Sequence, residues 1–184
     1  MKKNYALGVL FATFLFIGCS NDEDEIPKNV QKSKVAATID GKAWAGDVQY
    51  ANLITVKENE IQNLNLIVDD ANYKVMIGVL EPINLTPSSI LKDYDFTDSF
   101  MGSNGRAVFK LIKKVNKKEI TYFPIKGYLT YTAIDLNKKT FSGTFSFETK
   151  IQESKNISKD APEKITITGT FSEVNFLTKT ISKN

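Results

Sequence analysis

Residues 139–151, KTFSGTFSFETKI, and residues 164–174, KITITGTFSEV, decide the fold. In the first stretch Phe141, Gly143, Phe145 and Phe147 fall on one side of an extended chain, and Ser142, Thr144, Ser146 and Glu148 on the other, because successive side chains of a strand point to opposite faces. In the second, Ile165, Ile167, Gly169 and Phe171 oppose Thr166, Thr168, Thr170 and Ser172. Alternation of this kind marks antiparallel strands with one face in a core and the other in water. Gly-Thr-Phe-Ser occurs twice, at 143–146 and 169–172, each time with its glycine on the apolar side. Two copies do not make a repeat architecture. A glycine on the buried face of a strand instead marks the close approach of a large neighbour, and Trp44, the single tryptophan, is the expected one.

The period of two continues outward from these stretches and predicts strands at 34–39, 43–50, 52–58, 60–69, 72–80, 105–113, 119–124, 126–135, 139–151 and 164–174. Asp40-Gly41, Asp70-Ala71-Asn72, Val115-Asn116-Lys117 and Leu136-Asn137-Lys138 read as hairpin tips, so neighbours in sequence are expected to pair. Tyr73, Val75, Ile77 and Val79 share one face while Met76 and Leu80 share the other, which predicts middle strands buried on both sides, for instance by the 81–104 segment lying over a barrel. Ser88–Lys92 reads as a single helical turn. The expected fold is all-β: one antiparallel β-sandwich or flattened barrel of about ten strands, meander-like, over residues 34–178, with a tail at 179–184. A sandwich filled by its own phenylalanines is the favoured form.

Composition removes several chemistries. The chain of 184 residues has no histidine, one cysteine and a single arginine, Arg106. Histidine-based zinc sites, Ser-His-Asp or Cys-His catalysis and disulfide scaffolds therefore lack their raw material. Much of the formal charge of +3 comes from Lys2 and Lys3 at the extreme N-terminus. The lysines of the remainder are spread out except for Lys113, Lys114, Lys117 and Lys118, which is no nucleic-acid footprint.

Residues 1–19 read MKKNYALGVLFATFLFIGC: two lysines, an apolar run from Tyr5 to Gly18, then Cys19. The run is shorter than the roughly 20 residues of a spanning helix and has the layout of a secretion signal over 1–18. Ser20-Asn21-Asp22-Glu23-Asp24-Glu25 follows, and 19–33 reads as an acidic tether without an apolar face, unable to fold alone.

Phe16-Ile17-Gly18-Cys19 resembles the lipobox of bacterial lipoproteins, with Phe16 where an aliphatic residue is usual. The resemblance implies that Cys19 becomes the acylated first residue of the mature protein. Asp22, Glu23, Asp24 and Glu25 resemble the surface-export signal of Bacteroidota lipoproteins. Val35-Ala36-Ala37-Thr38-Ile39-Asp40-Gly41-Lys42-Ala43-Trp44, the run Phe141–Phe147 and Ile165-Thr166-Ile167-Thr168-Gly169-Thr170-Phe171 resemble a family of small Bacteroidota lipoproteins catalogued as a domain of unknown function. That likeness spans about 34–176 and brings structural motifs but no catalytic residues. It implies an outer-membrane, lipid-anchored protein displayed on the cell surface.

Among individual residues, Asp93, Asp95 and Asp98 have a spacing that suits oxygen ligation of calcium, but the twelve-residue loop with a terminal bidentate glutamate is missing. No cofactor is expected. Tyr122, Tyr128 and Tyr131 fit core positions better than a sugar platform, and Lys113–Lys118 reads as a solvated tip. Asn84-Leu85-Thr86 and Asn156-Ile157-Ser158 are chance sequons. The expected role is a non-catalytic binding or interaction module of the cell envelope, monomeric, with a protein or glycan partner, using loops 81–104 and 152–163. The alternative is a barrel carrying a small apolar ligand, which requires an internal cavity.

Overall fold

The computed structural model describes residues 34–82, 86–96, 106–116, 118–151 and 161–182, all within the compact unit Lys32–Asn184. Cys19, Asp22, Glu23, Asp24, Glu25, Asp98, Lys117 and both sequon asparagines, Asn84 and Asn156, lie outside the described residues.

The strands are β1 (Lys34–Ile39), β2 (Lys42–Val56), β3 (Ile61–Asp69), β4 (Tyr73–Pro82), β5 (Asp93–Phe96), β6 (Arg106–Val115), β7 (Lys118–Asp135), β8 (Thr140–Ile151), β9 (Lys164–Asn175) and β10 (Leu177–Ile181). A short helix α1 (Pro87–Ile90) precedes β5. The protein is all-β, as expected, and the architecture is a barrel. Hydrogen bonding runs β1-β9-β8-β7-β6-β4-β3-β2 and returns from β2 to β1, so eight strands close a meander into a ring, which leaves no sandwich edges among these eight.

Two pairs of expected strands are each one long strand. The break expected between 50 and 52 is a bulge at Gln49, where the β2–β3 register shifts between Val48 and Tyr50. The break expected at residue 125 is another bulge, between Pro124 and Lys126 in β7. Two strands were not expected at all. β5 pairs with Gly127 to Thr130 of β7, beside the part of β7 beyond its pairing with β6. β10 runs parallel to Asn52–Val56 of β2, past the point where β1 stops, so the chain expected to leave the domain at 178 continues as strand.

The hairpin tips follow the sequence. Asp40 and Gly41 take φ of +48° and +76°, the backbone of a tight two-residue turn for which Asp-Gly is suited. Asp70 Oδ1 accepts from the amides of Asn72 and Tyr73 at 2.8 and 2.6 Å, and Asp135 Oδ1 from those of Asn137 and Lys138 at 2.9 Å. Short acids at these positions serve the backbone.

Inside the ring the side chains are large and in mutual contact. Phe109 stacks on Phe147 with centroids 4.2 Å apart and planes 23° apart. Phe141 and Phe171 meet edge to face at 5.5 Å, and Tyr131 contacts both, at 5.8 and 5.9 Å. Tyr94 of β5 adds an edge contact to Tyr131 at 6.1 Å. An eight-stranded ring is about wide enough for its own side chains to fill, and these rings occupy its centre. The expected packing of Trp44 on Gly143 and Gly169 is overturned: a Cβ at Gly143 would lie 2.5 Å from Phe171 Cζ, and one at Gly169 the same distance from Phe145 Cζ. Trp44 instead covers Gly46, two residues along its own strand.

The middle strands are buried on both sides. Leu64, Leu66 and Val68 of β3 and Val75, Ile77 and Val79 of β4 belong to the core, while Asn63, Asn65 and Met76, at alternate positions, are buried too. The segment expected to cover that outer face does something else where it is described. Ile90 and Tyr94 join the core, and Lys92 reaches Glu81 of β4 at 2.8 Å, with its ammonium 5.0 Å from the centre of the Tyr94 ring.

Candidate functional site

In an up-and-down ring alternate connections lie at the same end. The β1–β2, β3–β4 and β6–β7 tips and the β8–β9 connection thus share one end, and the β2–β3, β4–β6 and β7–β8 connections share the other. The two segments expected to carry binding, 81–104 and 152–163, therefore leave the barrel from opposite ends. Their points of departure, Pro82 and Ile151, belong to different ends.

The end carrying the Asp40-Gly41 and Asp70-Ala71-Asn72 tips holds a group of aromatic and acidic side chains. Trp44 stands four residues after Asp40 and Tyr73 three after Asp70, and both side chains are half-buried against the top of the core. Their rings meet edge to face, centroids 6.4 Å apart at 83°. The Trp44 Nε1 is enclosed and has no hydrogen-bond partner. Burial, then the negative charges of Asp40 and Asp70, hold the Tyr73 hydroxyl above the ordinary tyrosine range. Tyr122, fully buried below, is raised by burial, then by Tyr73 and Asp40. Both hydroxyls stay protonated and able to donate at neutral pH. Tyr122 donates to the Pro162 carbonyl at 3.1 Å and so ties the return of the β8–β9 connection to the barrel.

Asp40 and Asp70 are also structural. Asp40 Oδ1 accepts from the Thr166 amide at 2.9 Å, while the Asp40 amide donates to the Thr166 carbonyl at 2.9 Å. This mouth therefore offers an aromatic edge and face, the Tyr73 hydroxyl as a donor, and carboxylates fixed by backbone bonds. Such a set suits recognition of a hydroxylated ring: apolar faces stack on aromatics and hydroxyls exchange hydrogen bonds with the rim. A nucleophile paired with a base is not among these groups.

The other residues singled out from the sequence are dispersed. Asp93 and Asp95 are not in a loop: they lie on β5, on the exposed face either side of buried Tyr94, and Asp93 Oδ1 accepts from Thr130 Oγ1 at 2.6 Å. Among the described residues no group of three or more acidic or cysteine side chains is placed to hold a metal ion. Tyr122 and Tyr131 are core residues, whereas Tyr128 is exposed on the outside of β7, so the three do not form a platform. Of the lysines at the β6–β7 tip, Lys114 is engaged with the Asp69 carboxylate and the Asp70 carbonyl, which braces the neighbouring tip.

Trp44 was legible as a core residue and Tyr73 as one of a strand face, but not as partners. The signal that joins them is topological: two tips with Asp at the turn and an aromatic three or four residues on, both at the same end of an up-and-down ring. Among known proteins, no family model, no curated protein and no solved structure matches this chain.

Proposed function

We propose that this chain is a lipid-anchored protein of the bacterial outer membrane, displayed at the cell surface through Cys19 and Asp22 to Glu25, whose barrel is a non-catalytic binding module. Its binding surface is the mouth at Trp44 and Tyr73, and its ligand is a hydroxylated ring compound of the saccharide class. The observation that carries the reading is the pairing of an interior packed with mutually contacting aromatic rings with an aromatic mouth that carries the Tyr73 hydroxyl and the turn carboxylates. The Phe109–Phe147 stack and the Phe141–Phe171–Tyr131 cluster occupy the centre of the ring, so recognition falls to the end. Carriage of an apolar molecule inside the barrel would require those rings to part, and it is the weaker alternative for that reason. A protein partner is the outcome left if saccharides fail.

Trp44 is the only tryptophan, so its fluorescence reports directly on the mouth. Titration of the purified protein with a panel of neutral and acidic saccharides is expected to give a saturable change in emission that Tyr73→Ala abolishes without loss of fold. Emission unchanged across the panel would remove the saccharide assignment. A response that survives Tyr73→Ala would move the site elsewhere.

A further inference from the structure

The outer face of β7 carries an arrangement that neither the core nor the mouth uses. Phe123, Ile125 and Tyr128 are exposed at 42%, 39% and 44%; Ile125 shares the outer face with Phe123 by the ordinary alternation of a strand, and the bulge between Pro124 and Lys126 brings Lys126 onto that face as well. Bulges commonly re-aim a side chain in this way. Phe123 pairs with Lys150 of β8, and Lys150 pairs with Lys164 of β9. On its other side Lys110 of β6 reaches over the Phe123 ring, 6.0 Å from its centre. One cross-strand row therefore reads Lys110, Phe123, Lys150, Lys164, with Lys126 and Ile125 just beyond it.

Two features of this row cost stability. Lys150 and Lys164 are directly opposed like charges, an arrangement that weakens a sheet. Two large apolar side chains stand in water on the middle of a strand. The acids nearby offset the charge only in part: Lys126 and Lys164 both bind Glu148, at 2.8 and 3.1 Å, and Lys150 approaches Glu163 at 3.6 Å. Among the described residues Lys126, Lys150 and Lys164 thus share two glutamates around an apolar centre, with Lys110 held over the Phe123 ring.

We propose that this face of β7, β8 and β9 is a membrane-contact surface, in which Phe123 and Ile125 enter the headgroup boundary of an anionic bilayer and Lys110, Lys126, Lys150 and Lys164 meet its phosphates. Aromatic and apolar side chains settle at that boundary, and lysines beside them are drawn to anionic headgroups. The proposal rests on the reading that Cys19 carries the lipid, which supplies the proximity. The segment 20–33 spans at most about 50 Å when extended, enough slack for the barrel to lie on its side against the surface.

The test uses the full acylated chain reconstituted on vesicles of pure phosphatidylcholine and on vesicles also containing phosphatidylglycerol, with lysine acylation footprinting read by mass spectrometry. Labelling of Lys110, Lys126, Lys150 and Lys164 is expected to fall several-fold on the anionic vesicles, and to recover in high salt. Lys57 and Lys179, on the β2 side of the barrel, are expected to label equally in both. Phe123→Ser with Ile125→Ser, both at exposed positions, is expected to restore labelling while circular dichroism stays unchanged. No protection on anionic vesicles overturns the proposal, and equal protection on pure phosphatidylcholine overturns its choice of an anionic surface. Flotation read in parallel keeps the two readings apart: protein that fails to float with either vesicle refutes the anchor at Cys19, and protein that floats without lysine protection refutes the contact face alone.

Discussion

The ring of Phe171 covers the bare backbone of Gly143, and the strand pairing that sets this contact sets its mirror image as well. In the β8–β9 register Gly143 faces Phe171 and Phe145 faces Gly169, so each copy of Gly-Thr-Phe-Ser lends its glycine to the phenylalanine of the other. The repeat is a reciprocal lock. A side chain at either glycine meets a ring and backbone together: at Gly169 the Ala36 carbonyl lies 2.8 Å from where a Cβ would be, so the obstruction is not only a movable ring.

Gly143→Val and Gly169→Val are each expected to destabilise the barrel by about 1–3 kcal/mol, the usual range for overpacking, and Phe145→Ala or Phe171→Ala by about 3–5 kcal/mol. Chemical denaturation monitored by circular dichroism measures all four. Because the two locks are neighbours, the double glycine variant is expected to depart from the sum of the singles. A midpoint equal to wild type for either glycine variant would show that its position tolerates a side chain.

How much of this was legible varies with the physics involved. The alternation of Phe141 to Phe147 and of Ile165 to Phe171 reports which face is buried, and the tips Asp40-Gly41 and Asp70-Ala71-Asn72 report where the chain turns, so strand placement and meander order could be read. Closure could not, because the β1–β9 pairing that completes the ring joins segments more than 120 residues apart, and a period of two is the same in a sandwich. The two bulges, at Gln49 and Ile125, were read as breaks between separate strands near residue 51 and at residue 125, because a bulge shifts the alternation by one residue just as a break would. β5 is only four residues long and β10 is exposed along most of its length, so neither carries a full hydrophobic pattern. The Trp44–Tyr73 contact needed the barrel before it had any meaning.

Alkaline pH is expected to unfold the barrel through two tyrosines. Tyr94 is raised by burial, then by the neighbouring Glu81 carboxylate, and Tyr131 by burial alone, both from an ordinary value of 10.0. A group whose folded pKa lies above its unfolded one adds stability that is fully present below the unfolded value, here about pH 10, and is lost as pH rises from there towards the folded value. Denaturant midpoints followed between about pH 9 and 12 are expected to fall steeply in wild type. Tyr94→Phe and Tyr131→Phe are each expected to flatten that fall, and slopes equal to wild type in both would show that the phenols ionise without unfolding.

Acylation at Cys19 is expected from the small-residue-cysteine junction that ends the apolar run of residues 5–18. Growth with a fatty-acid probe is expected to label wild type and leave Cys19→Ser unlabelled, with the variant lost from the membrane fraction. Two or more acyl chains suffice for stable anchoring, so the shift in partitioning is expected to be nearly complete. Wild-type protein that takes no label and fractionates as soluble would refute the lipobox.

Display outside the cell is expected to depend on Asp22, Glu23, Asp24 and Glu25, and the argument runs from position. Acids that merely solvated a tether could stand anywhere before β1, yet all four fall within six residues of Cys19, and the stretch from Lys28 to Lys34 contains lysines and no acid. A receptor that reads a signal beside the lipid requires such placement, whereas a spacer does not. Intact cells expressing wild type, and a variant with alanine at 22–25, are treated with protease and the barrel is followed by immunoblot. Because a closed ring resists cleavage within its strands, the cut is expected in the 20–33 segment, and release of the barrel is the readout. Wild type is expected to be shed and the variant retained. Equal shedding of both would reduce the cluster to a solvated tether, and retention of both would place the barrel on the periplasmic side.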